Sequence, residues 1–226
     1  MESTLHRDLK LQYGGSIDDV EVQVDGFRID AVVDGILYEI QQASLGALRE
    51  KVRTLLNRHS VVVVKPIACR KLLVRRAKTQ GDVISSRYSP KRESIFHLFI
   101  DFVYFVDLFP HKRLTLEVVL TDQEEHRVTR TRRRRFGPDY RVEDRRLQQV
   151  VGTHSLRTLA DLRALLPATL TAPFTTEDLA REANIPRWIA QKMAYCLRKT
   201  GAVTSIGKRG RAMLYDVPKR NVRRAA

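Results

Sequence analysis

The stretch Phe27-Arg28-Ile29-Asp30-Ala31-Val32-Val33-Asp34-Gly35-Ile36-Leu37-Tyr38-Glu39-Ile40-Gln41 decides how this chain is read. Two apolar, β-branched runs flank Asp34-Gly35, and an Asp-Gly pair favours a tight hairpin turn because both central residues tolerate positive φ. The hairpin carries one acid on each arm, Asp30 and Glu39, and brings them near each other. A carboxylate in an apolar strand is costly to bury unless a cation, a metal ion or hydrogen bonds offset the lost water. Two arrangements meet that demand. Either the acids sit solvated at a sheet edge and pair with arginines, or they share a divalent cation, which prefers oxygen ligands and activates water.

On the N-terminal side, Leu5 and Leu9 recur at helical spacing and Gly14-Gly15 supplies a stop, so residues 2 to 13 form a short amphipathic helix. Glu2, His6 and Lys10 line one face of it. Facing the hairpin, Glu2 becomes a third carboxylate and His6 and Lys10 phosphate contacts; facing water, the three are a solvated stripe. Val20 to Val24 alternates as a half-wet strand, with Glu21 in reserve as a further carboxylate. On the C-terminal side, Leu48, Val52, Leu55 and Leu56 mark a helix over Gly46 to Arg58, with Lys51 on its border. Val61 to Val64 then reads as a strand buried on both faces. A strand-helix-strand crossover of this kind makes a parallel pair.

Helix, strand, strand with Asp30, strand with Glu39-Ile40-Gln41, helix, strand: over about residues 1 to 75 this resembles the PD-(D/E)XK nuclease superfamily. The resemblance implies an α/β fold, a restriction-endonuclease-like mixed sheet flanked by helices. It also implies Mg²⁺ or Mn²⁺ held by Asp30 and Glu39 with Glu2, and a catalytic set of Asp30, Glu39, Gln41 and Lys51. Gln41 stands where the family carries lysine. An amide orients a water or a phosphate oxygen but brings no positive charge to the transition state. Lys51, from the next helix, is the candidate substitute.

Further along, Leu72-Leu73-Val74 is a short strand before an exposed loop that ends near Pro90. Residues 93 to 109 read as one largely buried aromatic helix, with Phe96, Phe99, Phe102 and Phe105 as core. Leu114 to Leu120 is a strand. Arg132, Arg133, Arg134 and Arg135, with Arg127, Arg130, Arg141, Arg145 and Arg146 nearby, form the densest positive field, suited to gripping a phosphate backbone from a loop or hairpin.

These elements define a nuclease-like domain over residues 1–150. A second domain, residues 155–218, opens with a leucine-rich helix from Leu156 that Pro167 stops. An N-capped helix begins at Thr175-Thr176, Asn184-Ile185-Pro186 turns the chain, a helix covers Arg187 to Thr200, and a basic hairpin turns at Gly207-Lys208-Arg209-Gly210. Over about residues 156 to 217 this resembles a small C-terminal winged-helix domain of the winged helix-turn-helix class. That resemblance implies DNA contacts from Arg187, Gln191 and Lys192 in the major groove and from Lys208, Arg209 and Arg211 on the wing, with Trp188 packed in the core.

The whole chain of 226 residues has a net charge of +15, which implies a polyanionic partner. Cys69 and Cys196 match no metal or redox spacing and read as free thiols of a reducing compartment. No export signal stands out, and the most apolar window, Ile95 to Phe109, is interrupted by His97, Asp101 and Asp107 and falls short of the roughly 20 residues of a bilayer span. The expectation is a cytoplasmic protein without a membrane partner, acting on duplex DNA as a metal-dependent nuclease, as a homodimer or in a larger DNA-processing complex. The alternative is an inactive nuclease-fold DNA-binding protein serving as a regulator or complex subunit. An RNA-binding protein is a third reading.

Overall fold

The computed structural model describes residues 2–16, 18–79, 81–130 and 137–218. At its centre lies a seven-stranded mixed sheet. It runs in the order β1 (Val20–Val24), β2 (Phe27–Val33), β3 (Ile36–Ile40), β4 (Ser60–Arg76), β6 (Leu114–Thr129), β7 (Tyr140–Leu156), with β5 (Val83–Tyr88) paired to β4. β1 to β3 form an antiparallel meander, β3, β4 and β6 run parallel, and β7 returns antiparallel. Both meander turns are Asp-Gly pairs with positive φ at each residue, 48° and 81° at Asp25-Gly26 and 51° and 74° at Asp34-Gly35. That twist matches the strands they join.

The crossover from β3 to β4 passes through a 3-10 turn at Leu45–Leu48 and the helix α2 (Arg49–Leu55). β4 is buried on both sides, as its unbroken valine run requires: Val61 and Val63 face one apolar cluster, Val62 and Val64 the other. On the second side lies α1 (Thr4–Gly14), whose Leu5 and Leu9 cover Ile40, Val64 and Val119. The first side carries α2, the aromatic segment and the C-terminal helices.

Residues 93 to 109 are not one helix. A short α3 (Leu98–Phe102) lies between 3-10 turns at Ile95–His97 and Val106–Leu108. Phe99, Phe102 and Phe105 are all fully buried, and seating all three against the sheet takes precedence over the weak helix propensity of aromatic residues. The strand expected at Leu114 to Leu120 continues to Thr129 and is paired along its length by β7. Charged residues normally depress strand propensity, but here they meet cross-strand partners, as where Arg145 of β7 bonds Glu125 of β6 at 3.1 Å. The helix expected from Leu156 starts only at α4 (Leu159–Ala164), because Thr158 and Asp161 exchange capping bonds there.

The chain ends with α5 (Thr176–Glu182), α6 (Arg187–Thr200) and a hairpin of β8 (Thr204–Arg209) and β9 (Ala212–Asp216). Thr175 caps α5 with Asp178, and Gly201 closes α6 at φ 83°. The boundary expected near Ser155 coincides with the end of β7, yet the core is undivided there. Leu162, Phe174, Leu179, Met193 and Leu197 belong to the same apolar cluster as Phe99, Phe102 and Phe105. Among the described residues, no helix is long and apolar enough to cross a membrane.

Candidate active site

The pairing of β2 with β3 runs from Val33↔Ile36 to Ala31↔Tyr38 and then stops. At the next position the Asp30 carboxylate takes over the role of a ladder acceptor, receiving the Ile40 N–H at 2.7 Å. Glu21, which falls opposite Asp30 between the β1–β2 pairs Val20↔Ala31 and Val22↔Ile29, has φ 59°, unusual for a residue with a side chain. Both strands therefore kink at the same level, and each kink carries an acid.

α1 lies against this kink. Its stripe of Glu2, His6 and Lys10 faces the hairpin and not bulk solvent. His6 Nε2 is 3.1 Å from Asp30 Oδ1 and 3.6 Å from Glu2 Oε1. The Lys10 ammonium lies 2.5 Å from Glu2 Oε1 and 2.5 Å from Glu21 Oε1, and its side chain is only 5% exposed. Lys10 is thus an internal tie between α1 and β1, not the phosphate contact expected of it. His6 is likewise engaged by carboxylates on the inside. Burial pushes the Asp30 carboxyl up, but the His6 bond, the Ile40 N–H and the charges of His6 and Lys10 outweigh it and hold the group below the usual carboxylate range.

Glu39 is directed the other way, on the side of Leu37 and Val63 and towards α2. Its side chain is 4% exposed and its Oε1 lies 2.5 Å from Lys51 Nζ. Lys51 also donates to the Arg28 carbonyl at 2.5 Å. The ammonium of Lys51 is thus the cation that meets Glu39 Oε1 inside the fold. Burial, with a smaller push from the Asp30 charge, raises the Glu39 carboxyl above its ordinary value despite Lys51. Gln41, two residues on, donates from Nε2 to the Ser44 carbonyl at 3.1 Å.

Asp30 and Glu39 are thus neighbours across parted strands, close enough to repel, but they have no partner in common: Asp30 is held from α1, Glu39 from α2. Among the described residues no group of three or more His, Cys, Asp and Glu side chains is placed to hold a metal ion. The donors themselves are hard oxygens of the kind Mg²⁺ or Mn²⁺ prefers, and an ion at Glu39 Oε1 would take the place of the Lys51 ammonium that lies 2.5 Å from it. Glu2, through His6 and Lys10, stands one residue further out.

In the C-terminal segment, Arg187, Gln191 and Arg198 are exposed on α6, as are Lys208 and Arg211 on the hairpin. Two expected DNA contacts are otherwise occupied. Lys192 is directed inward, 5.9 Å above the Tyr104 ring and 3.5 Å from the Ile100 carbonyl, and Arg209 binds Asp178 at 3.1 Å and the Pro173 carbonyl at 3.2 Å. Trp188, expected in the core, is 49% exposed beside Gln191, because the inner face of α6 is already filled by Ile189, Met193, Ala194 and Leu197. Arg132 to Arg135 lie outside the described residues. Of their neighbours, Arg127 stacks 4.1 Å over Tyr140 and pairs with Glu125 at 2.7 Å, while Arg146 pairs with Asp144.

Sequence reading also passed over Lys65, Lys71, His97 and Gln123, which surround a cavity beside Gln42 and Ala43. One signal was available: Lys65 directly follows the valine run of β4 and is 5% exposed, a charge inside a buried strand.

The sequence model of a family described as "Domain of unknown function (DUF8091)" matches residues 3–157. A protein of Treponema pallidum (strain Nichols), described as uncharacterized, is 32% identical over 215 residues, which cover 95% of this chain and 84% of that protein. No solved structure matches the chain.

Proposed function

Because the chain belongs to the family described as Domain of unknown function (DUF8091), we propose its function from the chemistry of the site: a divalent-metal-dependent DNA nuclease on a restriction-endonuclease-like core, with a winged-helix segment delivering the duplex. The observation that carries this reading is the nearness of two mostly buried acids where β2 and β3 part, close enough for the Asp30 charge to act on Glu39, with Lys51 2.5 Å from Glu39. Lys51 thereby supplies the positive charge that Gln41 lacks. Asp30 and Glu39 would hold Mg²⁺ or Mn²⁺. Such an ion would supply polarisation of the phosphoryl group and a bound water more acidic than bulk water.

The chain's own residues do the remainder. His6 and the Ile40 N–H fix the orientation of the Asp30 carboxylate. Lys51 stands ready to neutralise charge that develops on the phosphate, and Gln41 to orient a water or a phosphate oxygen. Arg187, Gln191 and Arg198 on α6 and Lys208 and Arg211 on the wing approach the duplex, with Trp188 beside them. A net charge of +15 favours the association through counterion release. The reading places the protein in the cytoplasm, and cutting both strands calls for two active sites, hence a homodimer or a larger complex.

A second reading, a non-cleaving duplex-binding regulator or subunit, is favoured by one observation: each acid already has its own partner inside the fold, His6 for Asp30 and Lys51 for Glu39. Incubating plasmid and linear duplex with the protein in Mg²⁺ or Mn²⁺, beside Asp30→Asn, Glu39→Gln and Lys51→Met, separates the two. The nuclease reading expects cleavage by the wild type and a loss of at least about 100-fold in each variant, with duplex binding retained. Binding without cleavage by the wild type in either metal establishes the regulator.

A further inference from the structure

A cavity of about 520 Å³ opens beside the parted strands, between the start of α1, the chain after β3, and the middle of β4 and β6. Its wall includes Gln42 and Ala43, which directly follow Gln41, and Leu5, which adjoins His6. Four cationic side chains line it, Lys65, Lys71, Lys91 and Arg145, against two carboxylates, Glu93 and Asp101.

Both carboxylates are already neutralised. Lys65 Nζ is 2.7 Å from Asp101 Oδ2 and also donates to the carbonyls of Gln42 and Ala43 at 3.2 and 2.5 Å. Lys91 pairs with Glu93 at 2.5 Å. Lys71, half-buried, forms no ion pair among the described residues, although its charge reaches Glu93 and, behind the wall, Glu125. Arg145 gives only its Nε to Glu125, at 3.1 Å. His97 accepts the Ser94 N–H on Nδ1 at 3.1 Å, and burial holds its pKa below the usual histidine value, so the neutral ring carries its proton on Nε2 as a donor. Gln123, 5% exposed, completes the floor and is fixed by Thr121 at 2.8 Å. A lysine without an ion-pair partner among the described residues, an arginine engaged through Nε alone, a histidine Nε2 donor and wall carboxylates that are both paired describe an anion site.

We propose that this cavity binds a phosphate group of a nucleic-acid strand, with Lys71, Arg145 and His97 as its donors, next to the Asp30–Glu39 centre. The assignment deepens the nucleic-acid reading and rests on it, but not on hydrolysis. The phosphate is either an internal one of the backbone or a 5′-terminal one, and the same chemistry recognises both.

The test measures binding of two duplexes, identical except for a 5′-phosphate or a 5′-hydroxyl, to the wild type, Asp30→Asn, Lys71→Gln and Lys71→Arg, in chelator and across a salt series. Chelator and Asp30→Asn remove cleavage, so a failed nuclease reading leaves the result intact. Loss of one charge-assisted contact predicts about tenfold weaker binding for Lys71→Gln and a salt slope lower by about one phosphate. Lys71→Arg should restore most of the affinity, and the melting temperature of both variants should match that of the wild type. A deficit confined to the 5′-phosphorylated duplex identifies a terminal phosphate; an equal deficit on both identifies an internal one. Unchanged affinity and slope in Lys71→Gln on both duplexes overturns the proposal, as does a deficit that tracks a fallen melting temperature or that arginine does not rescue.

Discussion

Asp30 and Glu39 stand on neighbouring strands, are both mostly buried, and still differ in sign. Asp30 sits below the usual carboxylate range, so it favours the fold in its charged form. That contribution is complete above its unfolded value of about 3.9 and is lost as pH falls through the folded value. Glu39 sits above its ordinary value, so the folded state binds its proton more tightly, and stability falls as pH climbs from about 4.3 through the folded value. Asp30→Asn is therefore expected to cost about 1 kcal/mol at neutral pH, with the gap to wild type closing in acid. Glu39→Gln is expected to gain on the wild type as pH rises from acid to neutral. Chemical denaturation of the three proteins across pH checks both, and two gaps that move in the same direction contradict the assignment. Such opposition between adjacent acids recurs where carboxylates take different roles in one site.

At the scale of elements, the site depends on how closely α1 approaches the meander. Gly14 ends that helix with no side chain, and a Cβ placed there would lie 2.8 Å from Val20 Cγ1 and 3.4 Å from Ala31 Cβ. Gly14→Ala should lift the end of α1 from β1 and β2, destabilising the fold by about 1–3 kcal/mol in denaturant titration. It should also lower any cleavage activity by loosening His6 on Asp30. An alanine as stable as the wild type would mean that α1 tolerates displacement. The strands of the meander, the Asp34-Gly35 turn, the α2 crossover and the doubly buried β4 were legible in the sequence because each is written in local turn chemistry and hydrophobic period; the Asp25-Gly26 turn, of the same chemistry, was passed over. β7 was not, since its charges lower strand propensity and only pairing with Glu124, Glu125 and their neighbours on β6 makes them acceptable. The same limit applied to the site: the nearness of Asp30 to Glu39 was readable from the hairpin, whereas the separate partners of the two acids, the assignment of Lys10 to Glu2 and Glu21, and the outward turn of Trp188 depend on contacts distant in sequence.

For the whole molecule, the undivided core has a direct consequence for cooperativity. Met193 and Leu197 of α6 share one apolar cluster with Phe102 and Phe105, so the C-terminal segment closes the face of the sheet opposite α1. The full chain is expected to melt in a single calorimetric transition, and a chain ended after Leu156 to expose that face and lose cooperative unfolding. Two separate transitions, or a stable truncated form, would indicate independent halves. The β6–β7 hairpin also sets a length scale. Its second strand has 17 residues, which extend at most roughly 55 Å at about 3.3 Å per residue. Laid beside B-form DNA, a ruler of that length covers about 16 base pairs at 3.4 Å each. On the proposed nuclease reading its far end, near Tyr140, would touch backbone more than a helical turn from the Asp30–Glu39 centre, so oligonucleotides shorter than that span would be held from one end alone.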